Sequence, residues 1–277
     1  MTVRNNTVEH RGCNLAYNID GAGPPVLFIQ GTGVHGDAWR PQIEVLREQF
    51  MCLSFDNRGM AHSQPRGAAI TVPQMAEDAL ALMDAAGWKT AHVVGHSLGG
   101  AVAQEVALQA RERVRSLALL CTFSRGRDAM QMSPGMIWTG LRTRIGTKRQ
   151  RRNAFLEMVM APIELVGKDR DKVAADLAPV FGHDLADQPA VAMAQLRALG
   201  AFNATPRLAE FGTVPTLVVS AQFDRISPPW VGKAIAAGIP GARYAEVAGA
   251  GHGVPLLHAS EINQLLREHF ERSVIIQ

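Results

Sequence analysis

Residues 91–106 read AHVVGHSLGGAVAQEV. The first part, Ala91–Gly95, is a short apolar, β-branched run of the kind that fills a buried strand. The part from Ala101 onward has the composition of a helix. Between them, Gly95-His96-Ser97-Leu98-Gly99 has the form G-x-S-x-G. A strand that turns sharply into a helix forces the corner residue into a strained conformation, and small residues on either side relieve the crowding. The Ser97 hydroxyl is then exposed at the carboxyl edge of the sheet. The Leu98 amide points the same way, and the helix N-terminus adds positive potential. A bare G-x-S-x-G occurs by chance. Set between a strand and a helix, with Gly100 following, it points to an activated serine.

The pattern repeats outward. Strands are predicted at Val26–Gln30, Met51–Phe55, Ser116–Cys121, Thr216–Ser220 and Arg243–Val247, with a weaker one at Cys13–Ile19. Helical stretches separate them. TVPQMAEDALALMDAAG (residues 71–87) has Thr71 as its cap and Gly87 as its stop, and SEINQLLREHF (260–270) has Ser260 as its cap. Alternation of this kind predicts an α/β fold, with a mostly parallel central sheet covered by helices on both faces. It breaks between about Ser124 and Thr205. No strand pattern occurs there, and RRNAFLEMVMA and PAVAMAQLRALGAF read as helices, so an α-helical insertion between two strands is expected.

A serine is a weak nucleophile unless a base held by an acid removes its proton. After TLVVS comes AQFDRISPP, with Asp224 just past the strand end. After YAEV comes AGAGHGVPLLH, with His252 in a glycine-rich loop. Both positions place the side chain at the same sheet edge as Ser97. Singly, Asp224 reads as a turn residue and His252 as a surface loop histidine. The order Ser, acid, His, each at a strand's carboxyl end, argues for one catalytic set.

A competing signal lies at residues 30–36, QGTGVHG. Gly31, Gly33 and Gly36 make G-x-G-x-x-G after an apolar run, and Asp56 follows 20 residues later. That is the form of a dinucleotide-binding fingerprint. It would need a helix starting inside the glycine run. Pro41 would then lie in the second or third turn, at a cost of about 3 kcal/mol. A later start with Pro41 in the first turn suits the residues better.

With these motifs in place, the chain resembles the α/β-hydrolase family, of the cofactor-independent esterase, lactonase and perhydrolase-like kind. The resemblance runs from about Cys13 to Phe270. It includes FDNRGMAHS (55–63), similar to the family's D-x-R-G-x-G-x-S loop with Ala61 in place of the second glycine. It implies a sheet of about eight strands with a helical cap inserted after the sixth. The cap would span residues 124–205 and the core 1–123 and 206–277. It also implies that the glycine-rich loop supports an oxyanion, with the Thr32 and Leu98 amides as donors. Gln30 stands where the family commonly has His. It is expected to hydrogen-bond the loop backbone, or to reach the substrate together with Gly31, Gly33 and His96.

Composition narrows the classes. The chain has 277 residues, 47% hydrophobic and 19% charged, as a globular protein does. No apolar run approaches the roughly 18 residues of a membrane span, and the N-terminus lacks a secretory pattern. Cys13, Cys52 and Cys121 share no metal or redox spacing, so a reduced, cytoplasmic setting is expected. The net charge of +3 comes from one stretch, LRTRIGTKRQRR, in which Arg142, Arg144, Lys148, Arg149, Arg151 and Arg152 fall. Outside it, 22 basic residues face 25 acidic ones. The patch reads as a solvated helix face or a site for an acidic partner. Without interleaved aromatics or a nucleic-acid motif, nucleic-acid binding is not expected. Six of the 11 methionines (130, 132, 136, 158, 160 and 193) lie in the insertion, as core filler or as an adaptable wall for an apolar ligand.

The expected activity is cleavage of a carboxylic ester or lactone of a small, largely apolar substrate, through an acyl-enzyme on Ser97. His252 would be the base and Asp224 its orienting acid, with no metal and no cofactor. The same parts also serve carbon–carbon bond hydrolases and perhydrolases, or a ligand sensor that turns over slowly. A nicotinamide oxidoreductase would instead bind NAD(P). The partner expected is a small-molecule substrate, and a homo-oligomer is left open.

Overall fold

The structure is a computed structural model, and it describes residues 6–130, 134–212 and 214–275. The elements follow in chain order. They are β1 (Asn6–His10), β2 (Cys13–Asp20), β3 (Pro25–Ile29), α1 (Arg40–Leu46), β4 (Met51–Phe55), α2 (Val72–Ala85), β5 (Ala91–His96), α3 (Leu98–Gln109) and β6 (Val114–Leu120). Helices α4 (Pro134–Arg142), α5 (Lys148–Val159), α6 (Pro162–Leu165), α7 (Arg170–Phe181) and α8 (Ala192–Ala201) come next. The chain closes with β7 (Thr216–Ala221), α9 (Pro229–Gly238), β8 (Arg243–Val247), α10 (Val254–Leu257) and α11 (Ala259–Ile275).

The eight strands form one sheet in the order β1-β2-β4-β3-β5-β6-β7-β8. β2 runs antiparallel to both neighbours, and the pairs from β4 to β8 are parallel. Side chains alternate across the central strands. Leu27, Ile29, Val93, Leu117 and Leu119 pack under α2, α3 and α9. Val26, Phe28, Val94, Ala118 and Leu120 pack under α1 and α11. Both faces are buried, which is why these strands read as unbroken apolar runs. Each fully buried Leu, Ile or Phe contributes about 1.5–3 kcal/mol relative to its exposed state.

Local signals explain most boundaries. The Thr71 hydroxyl accepts from the Gln74 amide at 3.1 Å to cap α2, and Gly87, with φ +71°, takes the left-handed position after the helix. Pro41 sits in the first turn of α1, after a 3-10 turn at Gly36–Trp39, so no long helix starts inside the glycine run. One strand carries no sequence signal, and one expectation needs correction. β1, NTVEH, carries no apolar alternation. It is an edge strand held by the hairpin turn Arg11-Gly12, where both residues have positive φ. Ser260 is not the cap of α11, because that helix already starts at Ala259, two residues after α10 ends.

The insertion between β6 and β7 leaves and re-enters the core at one neck. The Ala204 amide donates to the Ser124 carbonyl at 2.7 Å, and the Gly126 amide donates to the Phe202 carbonyl at 2.8 Å. Its helices have their own apolar core of Phe155, Leu156, Val159, Met160, Leu165, Phe181 and Leu185. Met160 and Met136 are buried, Met158 packs against that core and Met193 is exposed. Met132 lies outside the described residues. The basic stretch meets acids of the same cap. Arg142 pairs with Glu157, Lys148 and Arg151 with Asp187, Arg149 with Asp171, and Arg152 with Asp184. Most of the local positive charge is therefore neutralised at home.

Candidate active site

β5 ends at His96, and Ser97 follows with φ +55° and ψ −121° as the N-cap of α3. A non-glycine residue there is strained by about 1–3 kcal/mol. The surroundings enforce it. The missing side chains of Gly95, Gly99 and Gly100 make room for the Gly99 carbonyl, the Ile29 carbonyl and the Thr122 side chain respectively. The Ser97 amide donates to the Leu120 carbonyl at 3.0 Å, and the Thr122 hydroxyl donates to the Ser97 carbonyl at 2.5 Å. Thr122, just past the end of β6, therefore clamps the turn.

Asp224 follows β7 and His252 follows β8, which brings both to the edge where Ser97 stands. His252 Nδ1 donates to Asp224 Oδ2 at 2.7 Å. The other carboxylate oxygen of Asp224 accepts the Ile226 and Ser227 amides, both at 2.8 Å. All three side chains are nearly buried, with Ser97 at 8%, His252 at 7% and Asp224 at 3% exposed. His96 stacks against His252 with ring centroids 4.8 Å apart, and its Nε2 lies 2.9 Å from the His252 carbonyl oxygen. A carbonyl can only accept, so His96 carries its proton on Nε2. Burial drives the His96 pKa down to about 3. Cys121 lies beside Asp224, and burial and then that charge push its thiol well above the ordinary range.

The loop after β3 comes against the serine. Gly31 leaves room for Ser97 Cβ, 3.3 Å from where its own Cβ would stand. Among the described residues, neither the Thr32 amide nor the Leu98 amide has an intramolecular acceptor. The Gln30 side-chain oxygen accepts the Gly31 amide at 2.9 Å, and its carbonyl accepts from Asn57 Nδ2 at 3.0 Å. Gln30 therefore braces the loop backbone. Gly33, with φ +69°, is held from the cap: its amide donates to Gln195 Oε1 at 2.8 Å, and its carbonyl oxygen lies 3.0 Å from His183 Nε2. The cap also reaches the histidine loop, where the Gly253 amide donates to the Val159 carbonyl at 2.8 Å.

The Asp56 carboxylate is engaged within the protein. It accepts the Gly36 amide at 3.0 Å and contacts His62. Arg58, wholly buried, is bound to both oxygens of Asp78 and to the His10 carbonyl. The loop FDNRGMAHS is thus a structural brace.

Residues 24–259 match the family described as alpha/beta hydrolase fold. The chain belongs to that family. It is 29% identical over 253 residues to RutD of Azorhizobium caulinodans, named provisionally as a carbamate hydrolase, covering 91% of this chain and 93% of that protein. Among solved structures it is similar to BpoC of Mycobacterium tuberculosis H37Rv, named provisionally as a non-heme bromoperoxidase. The TM-score there is 0.80 at 26% identity, over 94% of this chain and 96% of that one. The enol-lactonase of Burkholderia xenovorans LB400 shares the fold, with a TM-score of 0.80 at 24% identity over 96% of this chain and all of that one. As an alpha/beta hydrolase, the chain is an enzyme of the hydrolase type. No helix among the described residues is long and apolar enough to cross a membrane.

Thr122, Cys121, Gln195 and His183 carry no sequence motif. Cys121 and Thr122 had one usable signal, their position at the end of a predicted strand on the reactive edge. Gln195 and His183 had none, since the contacts they make span 162 and 150 residues.

Proposed function

We propose that this alpha/beta hydrolase cleaves a carboxylic ester or lactone of a small, largely apolar substrate through an acyl-enzyme on Ser97. The observation that carries the reading is the Asp224–His252 hydrogen bond beside a serine held in a strained turn. His252 takes the Ser97 proton as the oxygen attacks the carbonyl. Asp224 fixes the tautomer that leaves Nε2 free to do so, and stabilises the imidazolium. The Thr32 and Leu98 amides receive the oxyanion, and losing one such donor typically raises the barrier by about 3 kcal/mol. The imidazolium then protonates the leaving group, and water activated by His252 releases the acyl chain. Residues 124–205 act as the cap, with residues 1–123 and 206–277 as the core. The steps as written need no metal or organic cofactor.

The name of the RutD relative makes a carbamate the second substrate class to try, because the same attack on a carbamate carbonyl needs no other groups. The test is labelling by a fluorophosphonate probe beside p-nitrophenyl esters of increasing chain length and one p-nitrophenyl carbamate, on wild type and Ser97→Ala. The expected result is labelling and ester turnover that both vanish in the variant. A folded wild type that neither labels nor turns over rejects the reading.

A further inference from the structure

We propose that Gln195 is a specificity-determining residue whose side-chain Nε2 donates a hydrogen bond to a second oxygen of the substrate, several atoms from the scissile carbonyl. The inference rests on the serine-hydrolase reading and adds to it a substrate class, acyl groups that carry an oxo or similar acceptor oxygen.

Gln195 lies on α8 in the cap and is fully buried. Its amide orientation is fixed by chemistry. The Gly33 N–H can only donate, so the atom 2.8 Å away must be Oε1. His183 Nε2 lies 3.0 Å from the carbonyl oxygen of the same glycine, so the cap approaches the Gly33 backbone on both sides. That leaves Nε2, which is buried and has no partner among the described residues. A buried donor left unpaired loses its hydration with nothing in return. An acceptor supplied from outside the chain removes that penalty.

The place of this donor limits what can meet it. Nε2 is covalently fixed beside Oε1, so it stands within about 5 Å of the Gly33 amide, and consecutive Cα atoms are about 3.8 Å apart. Gly31 abuts Ser97 Cβ, while the Cβ that Gly33 lacks would face Ala192 and Pro189 of the cap. The loop thus runs from the nucleophile at residue 31 to Gln195 at residue 33. An acyl group bound to Ser97 and lying along it reaches Nε2 about three to five atoms beyond its carbonyl carbon, given those spacings. A plain alkyl chain leaves Nε2 unpaired. A chain with an oxygen there pairs it. Discrimination by a buried, otherwise unpaired group exceeds that by added apolar surface.

The test compares p-nitrophenyl 4-oxopentanoate and 5-oxohexanoate with the pentanoate and hexanoate, on wild type, Gln195→Met and Gln195→Glu at pH 8. The quantity read is the oxo-to-plain ratio of kcat/KM, which cancels general damage to the enzyme. A glutamate at 195 still accepts the Gly33 amide but offers no donor when ionised. The methionine does neither. The expected ratio for one oxo position is about tenfold above unity in wild type, falls to about one in Gln195→Met and drops below one in Gln195→Glu. A ratio equal within twofold in all three proteins overturns the proposal and leaves a trapped water as the partner of Nε2. If Gln195→Met does not fold, Gln195→Glu alone carries the comparison. Failure of the hydrolase reading is seen separately, as absence of Ser97 labelling. Calorimetric binding of methyl 4-oxopentanoate against methyl pentanoate, to wild type and Gln195→Glu, then gives the same discrimination without turnover. Equal affinities reject it.

Discussion

His96 Nε2 donates to the carbonyl oxygen of His252 at 2.9 Å, tying the loop that carries His252 to the residue immediately before Ser97. The two rings lie 4.8 Å apart and tilted, so the contact sets both the height and the inclination of His252. Because burial holds the His96 pKa near 3, His96 stays neutral through the working pH range and acts only as a fixed donor.

On the proposed mechanism, removal of that donor misplaces His252 without changing its charge. His96→Phe is expected to lower kcat by about 10- to 100-fold, the cost of an unpaired buried carbonyl at 1–3 kcal/mol, with a smaller change in KM. His96→Gln, whose amide nitrogen reaches a similar point, should recover most of the loss. The acid limb of the pH–kcat/KM profile should coincide for wild type and His96→Gln. A limb that moves would mean that His96 itself titrates in the reaction.

The strained turn yields a second prediction, on stability. Ser97 holds φ +55° without being a glycine. Ser97→Gly relieves that strain, whereas Ser97→Ala keeps it. The glycine variant is expected to melt on the order of 2–4 °C above the alanine variant, if about 1 kcal/mol of strain is released. Neither should turn over ester. Equal melting temperatures in scanning calorimetry would show that the surrounding contacts, not the backbone of residue 97, carry the strain.

The thiols give a third. Cys13, Cys52 and Cys121 are buried and unpaired. Burial pushes the Cys52 thiol up to about 12 and raises those of Cys13 and Cys121. Burial disfavours the thiolate at each site and shields the sulfur from solvent. Ellman's reagent should therefore count no thiol in the native protein and three in guanidinium. One thiol that reacts within seconds in the native state would mean that the region around one of the three cysteines opens on that timescale.

Much of this architecture was legible because burial on both faces leaves a plain mark. Val26–Ile29, Ala91–Gly95 and Thr216–Ser220 read as apolar runs because α2 and α3 cover one face and α1 and α11 the other. Asn6–His10 left no such mark, since an edge strand is held by backbone pairing that any side chain permits. At the site, Ser97, Asp224 and His252 each follow a strand of the same sheet, so parallel topology alone brings them to one edge. Gln195 and His183 were not legible. Helical periodicity says which face of α8 is apolar, but not which core loop that face meets.

The last prediction concerns acid. His92, His96 and His269 are buried neutral, with pKa values lowered chiefly by burial to about 3, about 3 and about 4. His92 Nδ1 lies 2.8 Å from the Ser116 hydroxyl, and His269 Nε2 donates to the Leu117 carbonyl at 3.1 Å. The positive charges of Arg115 near His92 and Arg243 near His269 add to the resistance to protonation. In the unfolded chain the same groups titrate near their ordinary value of about 6.5. Below that pH the unfolded state binds protons that the native state refuses, so stability falls with pH from about 6.5 until the native values are reached. Between pH 7 and pH 5 most carboxylates remain ionised in both states, so the histidines dominate this window. The urea midpoint should drop on going from pH 7 to pH 5. His269→Gln, whose amide can still donate to Leu117, should lessen that drop by about one proton's worth of slope. A midpoint that stays flat across the window, or a slope unaltered by His269→Gln, would mean that these rings are hydrated and already exchange protons in the native state.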